Sequence, residues 1–290
     1  MTVKPALRNV GASVRQRLLN LSRAAGPPFD ILLTRYVLER LLYRLTLTPH
    51  ADRFVLKGAM LVMTWFADPH RQTRDVDLLG FGNPAPDAML AVFQEVCAIQ
   101  IDDGVDIDAA GLRVDLIREA LEYGGLRLRT TATVAAARVS VVIDIGFGDA
   151  TEPGIEEVEL PVLLNQPAPR LKAYARETVI AEKFQAMVAL GLANTRYKDF
   201  YDVWVLSRAY PFDGDRLARA MRATFDRRRT AIPAIPPDAL TTAFSGEAQK
   251  RQEWASYIAD LGLPELDLVQ VVSDLAAFLM PHAGRARGIG

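Results

Sequence analysis

The sequence predicts an α+β fold, in which one mixed β-sheet follows an N-terminal helical segment and precedes a C-terminal helical bundle. Apolar residues recur at helical spacing before residue 47, short runs typical of strands occupy much of residues 53–145, and helical spacing returns from residue 177 onward. The chain has 290 residues, of which 50% are hydrophobic, enough for a sizeable core. A proline-containing stretch separates predicted domains of residues 1–169 and 170–290.

Composition and charge exclude some classes of protein. The formal net charge is -1, so no overall positive field indicates a nucleic-acid partner, although a local basic face is compatible with that sum. The single cysteine, Cys97, excludes an internal disulfide framework, and its apolar neighbours predict a buried helix face. Arginines near the N-terminus interrupt the apolar region that a secretory signal would need. No later apolar run approaches the roughly 20 residues of a membrane span. We therefore expect a cytoplasmic protein without a membrane segment.

The first predicted elements lead to an acidic strand. Two helices are separated by a Gly-Pro-Pro turn, and a short apolar strand precedes Lys57. Gly58 then turns the chain into a third helix, whose first backbone amides suit an anion. The acidic strand follows this helix. The predicted ranges are residues 10–24, 29–46 and 59–66 for the helices and residues 53–56 and 74–79 for the strands.

The remaining elements complete the sheet and form the helical half. The segment 152–169 contains four prolines and is predicted to be a loop, and residues 284–290 are expected to form a frayed tail. Helices are predicted over residues 86–100, 177–190, 198–207, 215–228, 247–261 and 266–280, and strands over residues 105–107, 113–117, 126–133 and 139–145.

The segment 71–78, RQTRDVDL, carries the most informative pattern. On a strand the side chains alternate, so Asp75 and Asp77 point to the same face, roughly 6.5 to 7 Å apart along the backbone. Two carboxylates this close repel each other and lose hydration, a cost that a bound cation removes. Their hard oxygen atoms favour Mg²⁺ or Mn²⁺, metals that pair carboxylates with substrate phosphates. Asp75 and Asp77 are therefore candidate metal ligands.

Neighbouring residues suit the phosphates of a nucleotide. Lys57 offers a positive charge, while Gly58 and Ala59 offer backbone amides at a helix start. An ordinary strand-to-helix turn explains the same residues. Arg71 and Thr73 alternate with the two aspartates, so that a cation and a hydroxyl would line the same strand face. The alternative is that Arg71 merely neutralises the acidic pair.

Three further features each have a structural alternative. Asp144 interrupts an apolar strand, and it is either a general base for an attacking hydroxyl or the acceptor of a structural hydrogen bond. Lys183 lies in an otherwise apolar helix, and it either holds a triphosphate with Asp199 orienting it or forms a salt bridge between helices. The arginines at 227–229, with those of the helix before them, either face an RNA backbone or end a solvated helix.

Taken together, these residues resemble the AbiEii/AbiGii-type nucleotidyltransferase toxins, which include the mycobacterial MenT enzymes and belong to the polymerase-β-like nucleotidyltransferase superfamily. The resemblance covers about residues 50–208. It depends on FVLKGA at 54–59, RQTRDVDL at 71–78, IDIGFGD at 143–149, ETVIAEK at 177–183 and RYKDFYD at 196–202. The superfamily usually has Gly-Gly or Gly-Ser where this chain has Gly58-Ala59, which leaves phosphate contact to backbone amides and nearby cations.

The resemblance implies a nucleotidyltransferase core in the mixed sheet, in which Asp75 and Asp77 bind Mg²⁺ or Mn²⁺. It implies that Lys183 engages the triphosphate of an NTP substrate and that Asp199 completes the pocket, with Asp144 as the third carboxylate. It further implies a toxin with a cognate antitoxin and a tRNA or other RNA acceptor, since MenT members modify the tRNA 3′ end and block aminoacylation. Transfer to a protein Ser, Thr or Tyr, nucleotide binding without catalysis, the preferred NTP and the oligomeric state stay open.

Overall fold

The protein, for which a computed structural model is available, folds into two compact units. The structure describes residues 9–25, 27–66, 73–117 and 124–288. The first unit holds the chain up to Gly148 together with Glu157–Lys172, and the second holds Asp149–Glu156 and the chain from Ala173 onward. Relative to the predicted boundary after residue 169, residues 149–156 belong by contact to the second unit and residues 170–172 to the first.

The first unit contains strands and the helices that pack with them. Its helices are α1 (Val10–Ala25), α2 (Phe29–Thr46), α3 (Gly58–Val62) and α4 (Pro86–Ala98). Its strands are β1 (Phe54–Lys57), β2 (Val76–Gly80), β3 (Val105–Ile107), β4 (Arg113–Ile117), β5 (Gly125–Val134) and β6 (Ala137–Phe147). The strands β7 (Ile155–Glu159) and β8 (Arg170–Tyr174) contain residues of both units.

The order of the sheet places the acidic strands side by side. The strands follow one another as β3-β5-β6-β2-β1-β8-β7, and β4 also pairs with β5. The pair of β2 and β6 is parallel, whereas β1 with β2 and β5 with β6 are antiparallel, so the predicted mixed sheet is confirmed. Asp77 in β2 lies opposite Asp144 in β6, and Arg127 in β5 lies opposite Asp144 from the other side. This register brings charged side chains from three strands to one place.

Two elements near the acidic strand differ from the prediction. The strand β2 begins at Val76 and not at residue 74, so Asp75 precedes the strand and lies in a bend. The helix α3 occupies Gly58–Val62 and gives way to a turn, where a helix over residues 59–66 was expected. In both cases the type of element is right and its bounds are wrong. Apolar residues continue past the end of α3, whereas the residues before β2, Arg74 and Asp75, are charged and lie in a bend.

Three further differences lie later in the chain. The segment predicted to be a loop contains β7, whose residues are mostly exposed and charged, so it lacks the apolar alternation of a half-buried strand. The strand β8 was not predicted. The helix α10 (Leu268–Gly288) continues through Pro281 over most of the expected tail. Ala283 and Ala286 explain its length, since both are fully buried and keep the last turns packed.

The second unit is helical, as its spacing predicts. Besides α10, its helices are α5 (Arg176–Leu190), α6 (Tyr197–Ala209), α7 (Gly214–Arg227), α8 (Thr242–Ser245) and α9 (Ala248–Asp260). The helix α7 packs against both α5 and α10. Its start is fixed by Asp213, whose carboxylate accepts hydrogen bonds from the backbone amides of Asp215 and Arg216. The rings of Phe184 and Phe225, 5.4 Å apart, join α5 to α7.

The prediction of a buried cysteine is confirmed. Cys97 lies in α4 with 1% of its surface exposed and forms no disulfide. Burial raises the pKa of its thiol to about 12, so the thiol stays protonated at neutral pH. Over the part of the chain that the structure describes, no helix has both the length and the apolar character to cross a membrane.

A buried ion pair ties α2 to the turn before β3. The guanidinium of Arg44 binds the carboxylate of Asp103 through two bonds, Nη1 to Oδ2 at 2.7 Å and Nη2 to Oδ1 at 3.1 Å. Both side chains are almost fully buried. The Tyr36 hydroxyl donates to the Asp103 carbonyl, and the Asp103 carboxylate accepts from the Val105 amide. Losing one member would leave the other charge buried without an opposite charge beside it.

We expect Asp103→Ala to lower the free energy of unfolding by about 3 to 5 kcal/mol, because it leaves the Arg44 guanidinium buried and uncompensated. The matched control is Asp30→Ala. Asp30 lies on α2, the helix of Arg44, and loss of its exposed ion pair with Arg74 should cost less than about 1 kcal/mol. Urea denaturation of both variants measures the difference. Equal losses would show that the buried pair contributes no more than a surface pair.

Candidate active site

The three aspartates singled out in the sequence lie together. Asp75, Asp77 and Asp144 each offer one carboxylate oxygen, and these three oxygens lie within 4.8 Å of one another. We call these residues the acidic cluster. Asp77 and Asp144 face each other across the parallel pair of β2 and β6, and Asp75 lies two residues before Asp77. All three side chains are partly exposed, so an ion from solvent has access to them.

The donor atoms of the acidic cluster fit a hard divalent cation. They are all carboxylate oxygens, which Mg²⁺ and Mn²⁺ prefer over softer nitrogen or sulfur ligands. Mg²⁺ usually takes one or two protein carboxylates and fills its remaining positions with water and substrate phosphates. An open cluster of three carboxylates matches that need, and the repulsion among its negative charges gives a cation a favourable place to bind.

Gly58 makes room for the Asp77 carboxylate. Its φ of +69° is a left-handed conformation, which glycine adopts without the steric cost that a Cβ imposes. A Cβ placed on Gly58 would lie 1.9 Å from Asp77 Oδ2 and 2.7 Å from Asp77 Cβ. Lys57 lies opposite Asp77 in the pairing of β1 with β2, and Ala59 is buried in α3. The glycine is therefore required by the carboxylate beside it.

Thr73 supports the first aspartate of the cluster. Its hydroxyl donates a hydrogen bond of 2.6 Å to Asp75 Oδ1, and its side chain is buried. The expected alternation with Asp75 on a regular strand is absent, because both residues precede β2, yet the two side chains still meet. Arg71, which was expected on the same face, lies outside the described residues.

Arg127 is a member of this site that the sequence analysis missed. Its guanidinium forms two hydrogen bonds with Asp144, Nε to Oδ1 at 2.6 Å and Nη2 to Oδ2 at 2.5 Å. The hydrogen bond to Asp144, with further contributions from the charges of Asp75 and Asp77, raises the pKa of Arg127. The sequence contained one signal for this residue. Arg127 and Arg129 share a face of the predicted strand 126–133, which directly precedes the predicted strand of Asp144 in the chain.

In the second unit, Lys183 lies between two buried aspartates. Its ammonium Nζ is 2.6 Å from Asp199 Oδ1 and 2.9 Å from Asp202 Oδ2, and Arg196 Nε is 2.6 Å from Asp199 Oδ2. Burial disfavours the charged form of Asp199, but the charges of Lys183 and Arg196 outweigh it and lower the pKa of that carboxyl. The structure therefore contains the salt bridge between α5 and α6 that the sequence offered as an alternative to triphosphate binding.

The arginines considered for RNA contact are engaged within the second unit. Four of these arginines form ion pairs in which a guanidinium nitrogen lies 2.7 to 3.3 Å from a carboxylate oxygen. The pairs are Arg216 with Glu177, Arg219 with Glu152, Arg222 with Asp226, and Arg228 with both Asp149 and Glu182. These contacts favour a structural role for the basic residues of α7 and its end.

Comparisons with known proteins identify a family and a shared fold. The family described as Nucleotidyl transferase AbiEii toxin, Type IV TA system, matches residues 40–279. A solved candidate nucleotidyltransferase from H. pylori is similar at 14% identity and a TM-score of 0.50, over 91% of this chain and 99% of that chain. JHP933 from Helicobacter pylori has 15% identity and a TM-score of 0.49, over 89% and 94% of the two chains. No curated protein matches.

We expect Gly58→Ala to destabilise the protein and displace the Asp77 carboxylate. The matched control is Gly82→Ala, since Gly82 has a φ of +92° but a Cβ there would meet its nearest atom, Arg53 Nη2, only at 3.7 Å. The left-handed conformation costs both variants roughly 1 to 2 kcal/mol, and overlap with Asp77 adds to the cost of Gly58→Ala alone. Urea denaturation compares the two. A control that loses as much stability would show that backbone conformation accounts for the whole effect.

Proposed function

Because the chain belongs to the family of AbiEii nucleotidyl transferase toxins, we propose that it transfers a nucleoside monophosphate from an NTP to an RNA, with the 3′ end of tRNA as the acceptor. Such a transfer blocks aminoacylation and therefore translation. The single observation that carries the catalytic part of the proposal is the acidic cluster, in which three carboxylate oxygens lie within 4.8 Å of one another. Asp77 and Asp144 are on the adjacent parallel strands β2 and β6, and Asp75 lies in the bend just before β2.

The reaction is an in-line displacement at phosphorus. An oxygen of the acceptor hydroxyl forms a bond to the α-phosphorus as the bond from that phosphorus to its bridging oxygen breaks, and pyrophosphate leaves. We assign Asp75 and Asp77 as the ligands of Mg²⁺ or Mn²⁺, and Asp144 as the base that takes the hydroxyl proton. The bound cation would neutralise negative charge on the transferring phosphoryl group.

Residues around the cluster would position the nucleotide. Thr73 holds Asp75 through its hydrogen bond, and Gly58 leaves space for the Asp77 carboxylate. We propose that Lys57 and the backbone amides of Gly58 and Ala59 contact phosphate oxygens. Arg71 is a further proposed phosphate contact on sequence grounds alone.

We propose that Lys183 binds the triphosphate and that Asp199 holds it in place. Two carboxylates lie beside its ammonium group, so the side chain is charged and restrained before any nucleotide arrives. A restrained ammonium loses little conformational entropy on binding phosphate, and this favours a binding role in addition to the structural one.

The family also supports partners outside the chain. A toxin of this kind is neutralised by a cognate antitoxin, and we propose that this chain has one. We place the reaction in the cytoplasm, where tRNA is aminoacylated. The acceptor is the least constrained part of the proposal. Arg216, Arg219 and Arg222 of α7, which could have bound an RNA backbone, are paired with acidic side chains.

The test of the proposed function is a transfer assay with labelled NTPs, Mg²⁺ and total RNA or total protein as acceptor. We expect label on RNA of tRNA size, and we expect Asp77→Asn to reduce the rate by at least roughly a hundredfold, since it removes a charge that holds the cation. Asp106→Asn is the matched control, because Asp106 is an exposed aspartate of the same sheet, in β3. It should leave the rate unchanged.

Three outcomes of this assay would contradict parts of the proposal. Label on protein would select nucleotidylation of a Ser, Thr or Tyr hydroxyl as the reaction. Bound nucleotide with no transfer to any acceptor would indicate a binding module without catalysis. Equal rates for Asp77→Asn and the parent protein would remove the acidic cluster from the mechanism.

Lys183→Met should weaken nucleotide binding by roughly tenfold or more, because one charge-assisted contact to phosphate is worth about 1.5 to 3 kcal/mol. Lys250→Met is the matched control, since Lys250 is also a buried lysine of the second unit, but its ammonium donates to the Asn194 carbonyl. Titration of a fluorescent NTP analogue gives both dissociation constants. If both variants bind the analogue as tightly as the parent, the salt bridge of Lys183 is structural only.

A further inference from the structure

Arg127 presents a positive charge to the acidic cluster from the neighbouring strand. It lies directly opposite Asp144 in the antiparallel pairing of β5 with β6, so its side chain is on the same face of the sheet. The two parallel hydrogen bonds to Asp144 use both carboxylate oxygens. The side chain of Arg127 is 36% exposed, against 17% for Asp144, so Arg127 is the more accessible partner of this ion pair.

Arg127 offsets part of the negative charge of the acidic cluster. Its guanidinium contributes +1 against the three carboxylates, and Lys57, opposite Asp77 in the pairing of β1 with β2, is a further positively charged residue beside them. Arg127 binds a carboxylate of the cluster through two hydrogen bonds and an ion pair. Its partly exposed side chain can also leave without disturbing the core, since the buried residues on either side of it in β5, Leu126 and Leu128, point to the opposite face.

We propose that Arg127 is the built-in counter-cation of the acidic cluster and that a divalent metal ion competes with it for the Asp144 carboxylate. The inference rests on the proposed function for the presence of a metal, and it goes further in two ways. Asp144, assigned above as the base, also contacts the metal ion before nucleotide binds, and Arg127 acquires a role in metal binding. A cation that engages Asp144 must displace a bidentate partner, so the nucleotide-free protein binds the metal more weakly than the three carboxylates alone would. The triphosphate then helps the exchange, because it offers the released guanidinium new oxygen partners.

A different role for the same contact makes the opposite prediction. If Arg127 acts only to orient Asp144 as a ligand, then removing it would let the carboxylate turn away, and the metal would bind more weakly. Competition predicts tighter binding, because a nearby positive charge is gone and both Asp144 oxygens are released. The sign of the change in metal affinity therefore separates the two roles.

The experiment measures Mn²⁺ binding without nucleotide, by the electron paramagnetic resonance signal of the free ion. We expect Arg127→Met to bind Mn²⁺ roughly tenfold more tightly than the parent, since one like charge near a bound cation has an effect of that order at a partly exposed site. Arg127→Lys keeps the charge but loses the two-bond contact with Asp144, so its Mn²⁺ affinity should lie between those of the parent and Arg127→Met. Arg129→Met is the matched control, because Arg129 lies two residues along the same strand and pairs with Asp115. Its Mn²⁺ affinity should be unchanged.

A thermal melt gives an independent measurement on the same proteins. Without metal, Arg127→Met should melt below the parent, because Asp144 and its acidic neighbours then repel each other uncompensated. Saturating Mn²⁺ should raise its melting temperature more than it raises that of the parent. An equal rise, or Mn²⁺ affinity that is unchanged or weaker in Arg127→Met, overturns the inference. Nucleotide transfer by the parent under the same conditions shows that the proposed function stands even when the inference does not.

Discussion

Repulsion among the three carboxylates of the acidic cluster is the constraint that the first unit must satisfy. The parallel pairing of β2 with β6 brings two of them together, because Asp77 and Asp144 lie opposite each other in its register. The surrounding residues reduce the cost in different ways: Gly58 leaves the Asp77 carboxylate free space, Thr73 donates a hydrogen bond, and Arg127 supplies a positive charge. These contacts let the first unit hold three carboxylates close together.

The second unit solves the same problem differently. Asp199 and Asp202 are buried in α6, where an unpaired carboxylate would be far more costly than at the edge of a sheet. Lys183 from α5 and Arg196 from the residue before α6 supply the compensation. Removing either cation leaves buried negative charge, so these residues stabilise the helical unit whether or not one of them also contacts a nucleotide.

The sequence predicted the types of most elements and the membership of the acidic cluster, because both depend on local patterns. Alternation identified β2 and β6, and an Asp within each apolar run marked the site. Arg127 was missed because its partner lies 17 residues away, and only the pairing of β5 with β6 brings the two together. The strand β7 was missed because its exposed, charged residues lack the apolar alternation of a half-buried strand. The end of α10 was predicted to fray, but burial of Ala283 and Ala286 keeps its last turns helical.

The register of β6 limits how this chain can diverge. Since side chains alternate along a strand, one inserted residue between Ala137 and Asp144 would move the carboxylate to the apolar side of the sheet, and two would carry it roughly 6.6 Å along the strand and out of reach of Asp77. An insertion or deletion within this strand would therefore take the acidic cluster apart, whereas a change in the length of a loop would leave it in place. The length of this segment of β6 is as much a part of the site as its side chains.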